Sequence, residues 1–172
     1  SAASDVYKRQ FERELKSEIE RSAHAKVAVL FIDVDDFKFI NDRFGHSVGD
    51  EVIKYVAGCI KQRVKGSGFA GRFGGDEFVL CITDPKQIEE IESLSLDLID
   101  ELYEGYHSEL ANVSINVKAS IGIAFYPEHG DDSNKVVAAA DEAMYFVKKN
   151  GKANYHIYQP EDSEMEDLQH TL

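Results

Sequence analysis

Cysteine and proline are scarce in this chain, with two of the first and three of the second among 172 residues. Cys59 falls in a helical pattern and Cys81 in a strand pattern, and neither has the spacing of a zinc or redox motif. Both read as small core residues in a reducing compartment. Cationic residues are few as well: 19 lysines and arginines face 32 acids, and the net charge of −13 opposes a nucleic-acid backbone or an anionic membrane surface as partner. Any polyanionic ligand would have to bring or borrow cations. A long apolar run is also missing. The longest, Val27 to Ile32, is far short of the roughly 18 residues of a membrane span, and the first residues lack the pattern of a signal peptide. No segment is low in complexity and none repeats. The chain is therefore expected to be a soluble, cytoplasmic domain that contacts no membrane.

What is present is enough for one ordinary core, since 43% of the residues are hydrophobic and 30% charged. Phe11, Leu15 and Ile19 recur at helical spacing and predict an amphipathic helix from about Asp5 to Ala23. Val27 to Ile32 predicts a strand buried on both faces that ends in four residues, Asp33-Val34-Asp35-Asp36. A short helical turn at Phe39 to Asn41 follows. Gly45 and Gly49 bracket a loop, and Val52, Ile53, Val56, Ile60 and Val64 mark a second amphipathic helix with Asp50 at its start. Phe69 to Phe73 and Phe78 to Ile82 predict a β-hairpin closed by Gly74-Gly75-Asp76-Glu77. Asp84-Pro85 opens a long helix, Val113 to Tyr126 reads as a strand with a close approach or bulge at Gly122, Ser133 to Lys149 is a helix, and Tyr155 to Tyr158 a last strand. A hairpin mixed with crossover connections predicts an α+β fold, a mostly antiparallel five-stranded sheet flanked by helices, of the palm or ferredoxin-like kind.

Chemistry gathers at two of these places. If the first strand pairs beside the hairpin, Asp33 meets Asp76 and Glu77. Three carboxylates in one place repel unless a cation lies among them, and hard oxygen donors suit Mg²⁺, which also bridges phosphates. Gly74 and Gly75, lacking Cβ atoms, would allow a tight turn and a ligand against the backbone. Taken alone, the same four residues fit a solvated hairpin tip equally well. Lys38 lies at the start of a helical segment where unpaired N–H groups could hold phosphate oxygens. Asn41 and Asp50 flank the loop that carries His46; read singly they are a turn asparagine and a helix N-cap. Lys148 and Lys152 lie at the end of the last helix, where its dipole also favours cations.

Together these residues make a pattern. Phe31 to Asp50 (F-I-D-V-D-D-F-K-F-I-N-D-R-F-G-H-S-V-G-D), Arg72 to Phe78 (R-F-G-G-D-E-F), Ser120 to Ala124 (S-I-G-I-A) and Ala140 to Lys152 (A-D-E-A-M-Y-F-V-K-K-N-G-K) resemble the GGDEF family of diguanylate cyclases, over about Tyr7 to Tyr158. The resemblance implies an enzyme that condenses two GTP molecules into cyclic di-GMP and two pyrophosphates, with Mg²⁺, or Mn²⁺, as cofactor. It implies Asp33, the carbonyl of Val34, Asp76 and Glu77 as metal ligands, and Glu77 as the base that deprotonates the attacking ribose 3′-hydroxyl. It implies Asn41 and Asp50 as readers of guanine. Asp36, Phe37, Lys38, Lys148 and Lys152 would hold phosphates, with His46 near the nucleotide and Gly74 and Gly75 against it. A second GGDEF domain is implied as partner in a homodimer, because each 3′-hydroxyl must attack the other nucleotide.

The division expected is a linker remnant at residues 1–6, the domain at 7–159 and a flexible acidic tail at 160–172. The family's leading D-x-L-T-G-L-x-N is replaced by S-A-A-S-D-V-Y, and such a segment normally follows a sensor domain. A longer signalling protein is therefore expected, its attachment to a membrane left open. Three departures concern the site. The product-inhibition Arg-x-x-Asp is Lys65 and Gly68 here, so inhibition through it should be absent. Lys152 stands where Arg is usual and loses the two-pronged grip on phosphate. Val147 and Ala153 replace the usual Ala and Asn.

Overall fold

A computed structural model describes residues 2–21 and 26–163. Its organising element is strand β1 (Val27–Val34), buried along its length except at Asp33. An apolar strand of this kind needs a partner on each edge and a layer on each face. β1 pairs antiparallel with β3 (Glu77–Thr83) on one side and with β6 (Ala119–Tyr126) on the other. β2 (Gly68–Arg72) extends the β3 side and β7 (Tyr155–Ile157) lies parallel to β6, giving a five-stranded sheet in the order β2-β3-β1-β6-β7. This is the mostly antiparallel α+β arrangement expected from the sequence.

Side chains alternate across the sheet and divide the core in two. Ala28, Leu30, Ile32 and Val34 face a layer containing α3 (His46–Val64) and α4 (Ile88–Glu104). Val27, Val29 and Phe31 face α1 (Ala2–Arg21), through Phe11 and Leu15, and α5 (Ser133–Lys149), through Val136, Ala139, Ala140 and Met144. Asp33 continues the odd-numbered series, so it belongs to the α5 side. Among the described residues no helix is long and apolar enough to cross a membrane.

Several boundaries differ from the sequence expectation. The first helix starts at Ala2, so residues 2–6 are helix and not linker; its expected end at Ala23 lies outside the described residues. The helical turn at Phe39 is the eight-residue helix α2 (Phe37–Phe44), and no loop separates Gly45 from Gly49: α3 begins at His46, with Gly45 alone at φ 92°. Asp50 is consequently the fifth residue of α3 and not its N-cap. α4 starts at Ile88 and not at Asp84, whose φ is 49°. The expected strand from Val113 to Tyr126 is interrupted. Val117 N–H donates to the Leu102 carbonyl and the Asn116 amide to that of Tyr103, so the chain is drawn to the end of α4. Its first part, β5 (Val113–Ile115), pairs instead with β4 (Tyr106–Ser108) in a separate two-stranded sheet. Residues 160–163 form a helical turn held by Asp162, which accepts from Gln159 N–H and pairs with His156 at 3.0 Å; the rest of the expected flexible tail, 164–172, lies outside the described residues.

Gly122 is a close approach, as expected. A Cβ there would stand 2.0 Å from the Ala140 carbonyl oxygen and 2.1 Å from the Met144 nitrogen. α5 thus lies directly on the backbone of β6, which fixes the height of every α5 side chain above the sheet. Gly122→Ala is expected to destabilise the fold by about 2 kcal/mol through forced separation of helix and sheet, read as a lowered Tm.

Candidate functional site

The acidic end of β1 and the hairpin tip meet. Asp33 is directly opposite Glu77 in the β1–β3 register, and Val34 N–H donates to the Asp76 carbonyl at 3.1 Å. Directly opposed residues of an antiparallel pair point to the same face, so Asp33 and Glu77 share the α5 side. The turn between β2 and β3 is closed by Phe73 N–H on the Glu77 carbonyl at 2.9 Å. It is held from the side by Arg72, whose guanidinium donates to the carbonyls of Gly74 at 3.0 Å and Gly75 at 2.6 Å. Neither glycine adopts positive φ, so the turn does not demand them. What they supply is access: no atom lies within 4 Å of where a Gly75 Cβ would be.

Electrostatics single out Asp33. Burial, more than any neighbour, pushes its carboxyl from 3.8 up to about 7; Lys148 opposes the rise and Asp76 adds to it. Its Oδ1 is buried with no hydrogen-bond partner. A desolvated carboxylate oxygen without a donor is costly, and a hard divalent cation would satisfy it with the donor chemistry on hand: Asp33, Asp76 and the main-chain carbonyl of Val34. Among the described residues no three acidic, His or Cys side chains gather closely enough to form a cage by themselves. A cation here would therefore complete its shell with backbone and ligand oxygens, as Mg²⁺ commonly does with phosphates. Glu77 is also raised, by burial first and then by Asp141 and Asp76. It borders a cleft lined further by Lys8, Phe73, Asn134 and Asp141.

Beside this acidic corner lies a basic one. Lys148, on the last turn of α5, reaches Asp35 at 2.6 Å and Asp33 at 3.3 Å, and Lys152 reaches Asp36 at 2.8 Å. Hydrogen bonding to Lys152 holds the Asp36 carboxyl below its usual range. Asp36 has left-handed backbone, φ 54°, and its carbonyl accepts from Phe39 and Ile40. The N–H groups of Phe37 and Lys38, in the first turn of α2, are those for which a helix offers no internal acceptor. Lys38 is exposed.

Farther along α2, the Asn41 carboxamide packs onto α3: a Cβ at Gly49 would stand 1.8 Å from Asn41 Oδ1. Gly49 therefore exists to admit Asn41 and not to break a helix. Asp50 follows it, exposed and without a hydrogen bond or ion pair among the described residues, which leaves its carboxylate available to a ligand. His46, in the first turn of α3, is exposed as well.

Every residue expected at the site thus falls at one end of the sheet or on the α2–α3 corner beside it. Sequence reasoning missed two. Arg72 was legible only as a neighbour of the glycines. Asp35 sat among the strand-end carboxylates without a role, yet its side chain is fully buried. It accepts from Ser120 Oγ at 2.6 Å, from Lys148 and from Ala153 N–H at 2.9 Å. Its two-residue spacing from Asp33 was the available signal.

The chain is similar in sequence and fold to known proteins. The family model described as "Diguanylate cyclase, GGDEF domain" matches residues 6–154. The signaling protein YkoW of Bacillus subtilis is 34% identical over 140 residues, 81% of this chain and 17% of YkoW. Diguanylate cyclase DosC of Escherichia coli is 34% identical over 133 residues, 77% of this chain and 28% of DosC. The solved GGDEF domain of PA1120 from Pseudomonas aeruginosa superposes with a TM-score of 0.82 at 31% identity, covering 87% of this chain and 93% of that one. The chain spans less than a third of the length of either curated relative.

A folded chain that holds the Asp33 proton after the unfolded chain has released it is stabilised fully below about pH 4, and that contribution is lost as pH rises through about 7. In chelator-treated protein, the Tm of Asp33→Asn relative to the parent is expected to climb between pH 5 and pH 8. A difference independent of pH would contradict the raised carboxyl.

Proposed function

Because the chain belongs to the GGDEF diguanylate cyclase family, we propose that it condenses two GTP molecules into cyclic di-GMP, releasing two pyrophosphates. The observation that carries this reading is Asp33, a half-buried carboxylate with one buried, unpartnered oxygen, beside the hairpin tip and 3.3 Å from the Lys148 ammonium. Anionic donors and cationic holders side by side are what a metal-bound triphosphate requires.

In this mechanism Asn41 and Asp50 hold the base. A carboxylate at Asp50 accepts from both N1–H and the exocyclic amine of guanine, whereas adenine would present an unprotonated N1, lone pair to lone pair. Lys38 and the first-turn N–H groups of α2 take phosphate oxygens, and the ammonium groups of Lys148 and Lys152, beside Asp35 and Asp36, face the same charge. Asp33, the Val34 carbonyl and Asp76 would hold Mg²⁺ or Mn²⁺, which supplies charge neutralisation at the phosphates and acidifies a nearby hydroxyl. Glu77 removes the 3′-hydroxyl proton, and the upward shift of its carboxyl by burial makes it a stronger base. Each 3′-hydroxyl attacks the α-phosphate of the other nucleotide, so two chains must face each other about a two-fold axis. The relatives' greater length supports a sensor domain in the same protein that sets this geometry.

Feedback inhibition through the usual Arg-x-x-Asp is excluded in this reading for a steric reason as well as a chemical one. A Cβ at Gly68 would stand 1.7 Å from the Cys81 carbonyl oxygen, so β2 and β3 would have to part to admit an aspartate.

Chromatography of GTP incubated with Mg²⁺ and the protein tests the activity. Cyclic di-GMP is expected in the parent, and its formation is expected to fall by about 10²-fold or more in Glu77→Gln, with GTP still bound. The rate should rise faster than linearly with protein concentration; strict proportionality across dilution would refute the paired half-sites. Added cyclic di-GMP should leave the initial rate unchanged, and tight inhibition abolished by changing Lys65 would overturn the feedback argument.

A further inference from the structure

The four residues Asn150, Gly151, Lys152 and Ala153 reverse the chain between α5 and β7, and three of them in succession are left-handed, with φ of 105°, 61° and 49°. Glycine tolerates this; lysine and alanine do not readily, because Cβ crowds the carbonyl oxygen. Such strain persists only where the surroundings over-determine it, and it concentrates at ligand clamps. Asn150 and Lys152 N–H both donate to the Val147 carbonyl, which ties the turn to its own helix. Two bonds tie the connection to the sheet: Ala153 N–H donates to Asp35 Oδ2, and the next residue's carbonyl, that of Asn154, accepts from Ile121 N–H of β6.

Asp35 is a fully buried carboxylate, and burying a charge is unfavourable unless donors surround it. Its donors come from three elements: Ser120 of β6, Lys148 of α5 and Ala153 of the turn. An apolar residue would fill the same volume without that desolvation cost. The charge is better explained by what it places than by the stability it adds.

Resting on the nucleotide reading above, we propose that Asp35 is the positioning residue of the phosphate-binding end, holding Lys148 directly and pinning the strained turn at Ala153. Lys148 lies between Asp33 and Asp35. A divalent cation on Asp33 would repel the ammonium and take over the Asp33 charge. Asp35, enclosed by protein, keeps its own charge and retains Lys148 beside the phosphates.

The test is a double-mutant cycle on GTP affinity in Mg²⁺, with Asp35→Asn, Lys148→Met and both together, alongside hydrogen exchange of the Ala153 amide. Asp35→Asn is expected to weaken GTP about tenfold, and to add less than twofold once Lys148 is already methionine. Ala153 N–H is expected to exchange at least tenfold faster in Asp35→Asn. Independent, multiplying losses in the double variant, or unchanged exchange, would overturn the proposal, since a merely structural aspartate would weaken binding whether or not Lys148 is present. Should Asp35→Asn fold poorly, Ser120→Ala removes one donor to the same carboxylate. A smaller loss that vanishes with Lys148→Met supports the proposal, and one that persists refutes it. If the parent binds no GTP, the cyclase reading falls, while exchange at Ala153 still decides whether Asp35 holds the turn.

Discussion

Like-charge repulsion at the end of β1 is the constraint around which the molecule is arranged. Asp33, Asp35 and Asp36 leave one strand while Asp76 and Glu77 arrive on its neighbour. The antiparallel register gives them no choice but to meet. Without compensation such a corner would open. Lys148 and Lys152 reach it from the end of α5, and burial keeps the Asp33 carboxyl protonated to higher pH than usual. Both compensations are reversible, which suits the proposed binding of a cation and a triphosphate at this corner.

The rest of the fold serves that corner by fixing distances. Gly122 lets α5 lie on the backbone of β6, and the height of α5 decides where Lys148 emerges. Gly49 does the same for the α2–α3 corner, since Asn41 can lie against α3 only because residue 49 has no side chain. Arg72 restrains the hairpin tip by its own carbonyls, so the turn carrying Asp76 is held from outside the cation site. Buried apolar packing on both faces makes these placements rigid.

Much of this was legible from the chain because local and global signals agreed. β1 and β3 are apolar runs bounded by charge, and α5 is bounded by Asp132, which caps it, and by Asn150-Gly151. The failures have physical reasons. Gly49 was read as a breaker because glycine usually is one, whereas here it makes room for a neighbour. Val113 to Tyr126 looked continuous because its interruption depends on carbonyls at Leu102 and Tyr103, near in space and invisible to periodicity. For the acidic segment from Pro160, expected to be loose, composition cannot tell that Asp162 is committed to His156; its remainder lies outside the described residues. Asp35 escaped because its partners Ser120 and Lys148 lie 85 and 113 residues away.

The tight seam between β2 and β3 at Gly68 bears on the history of the molecule. Where an inhibitory aspartate can occupy that position, losing it is one substitution; regaining it here would need the two strands to separate first, with the sheet edge weakened in the meantime. If the chain is the cyclase proposed above, a brake at this position could not be fitted by a single substitution, and restraint of its output would fall to other parts of the protein.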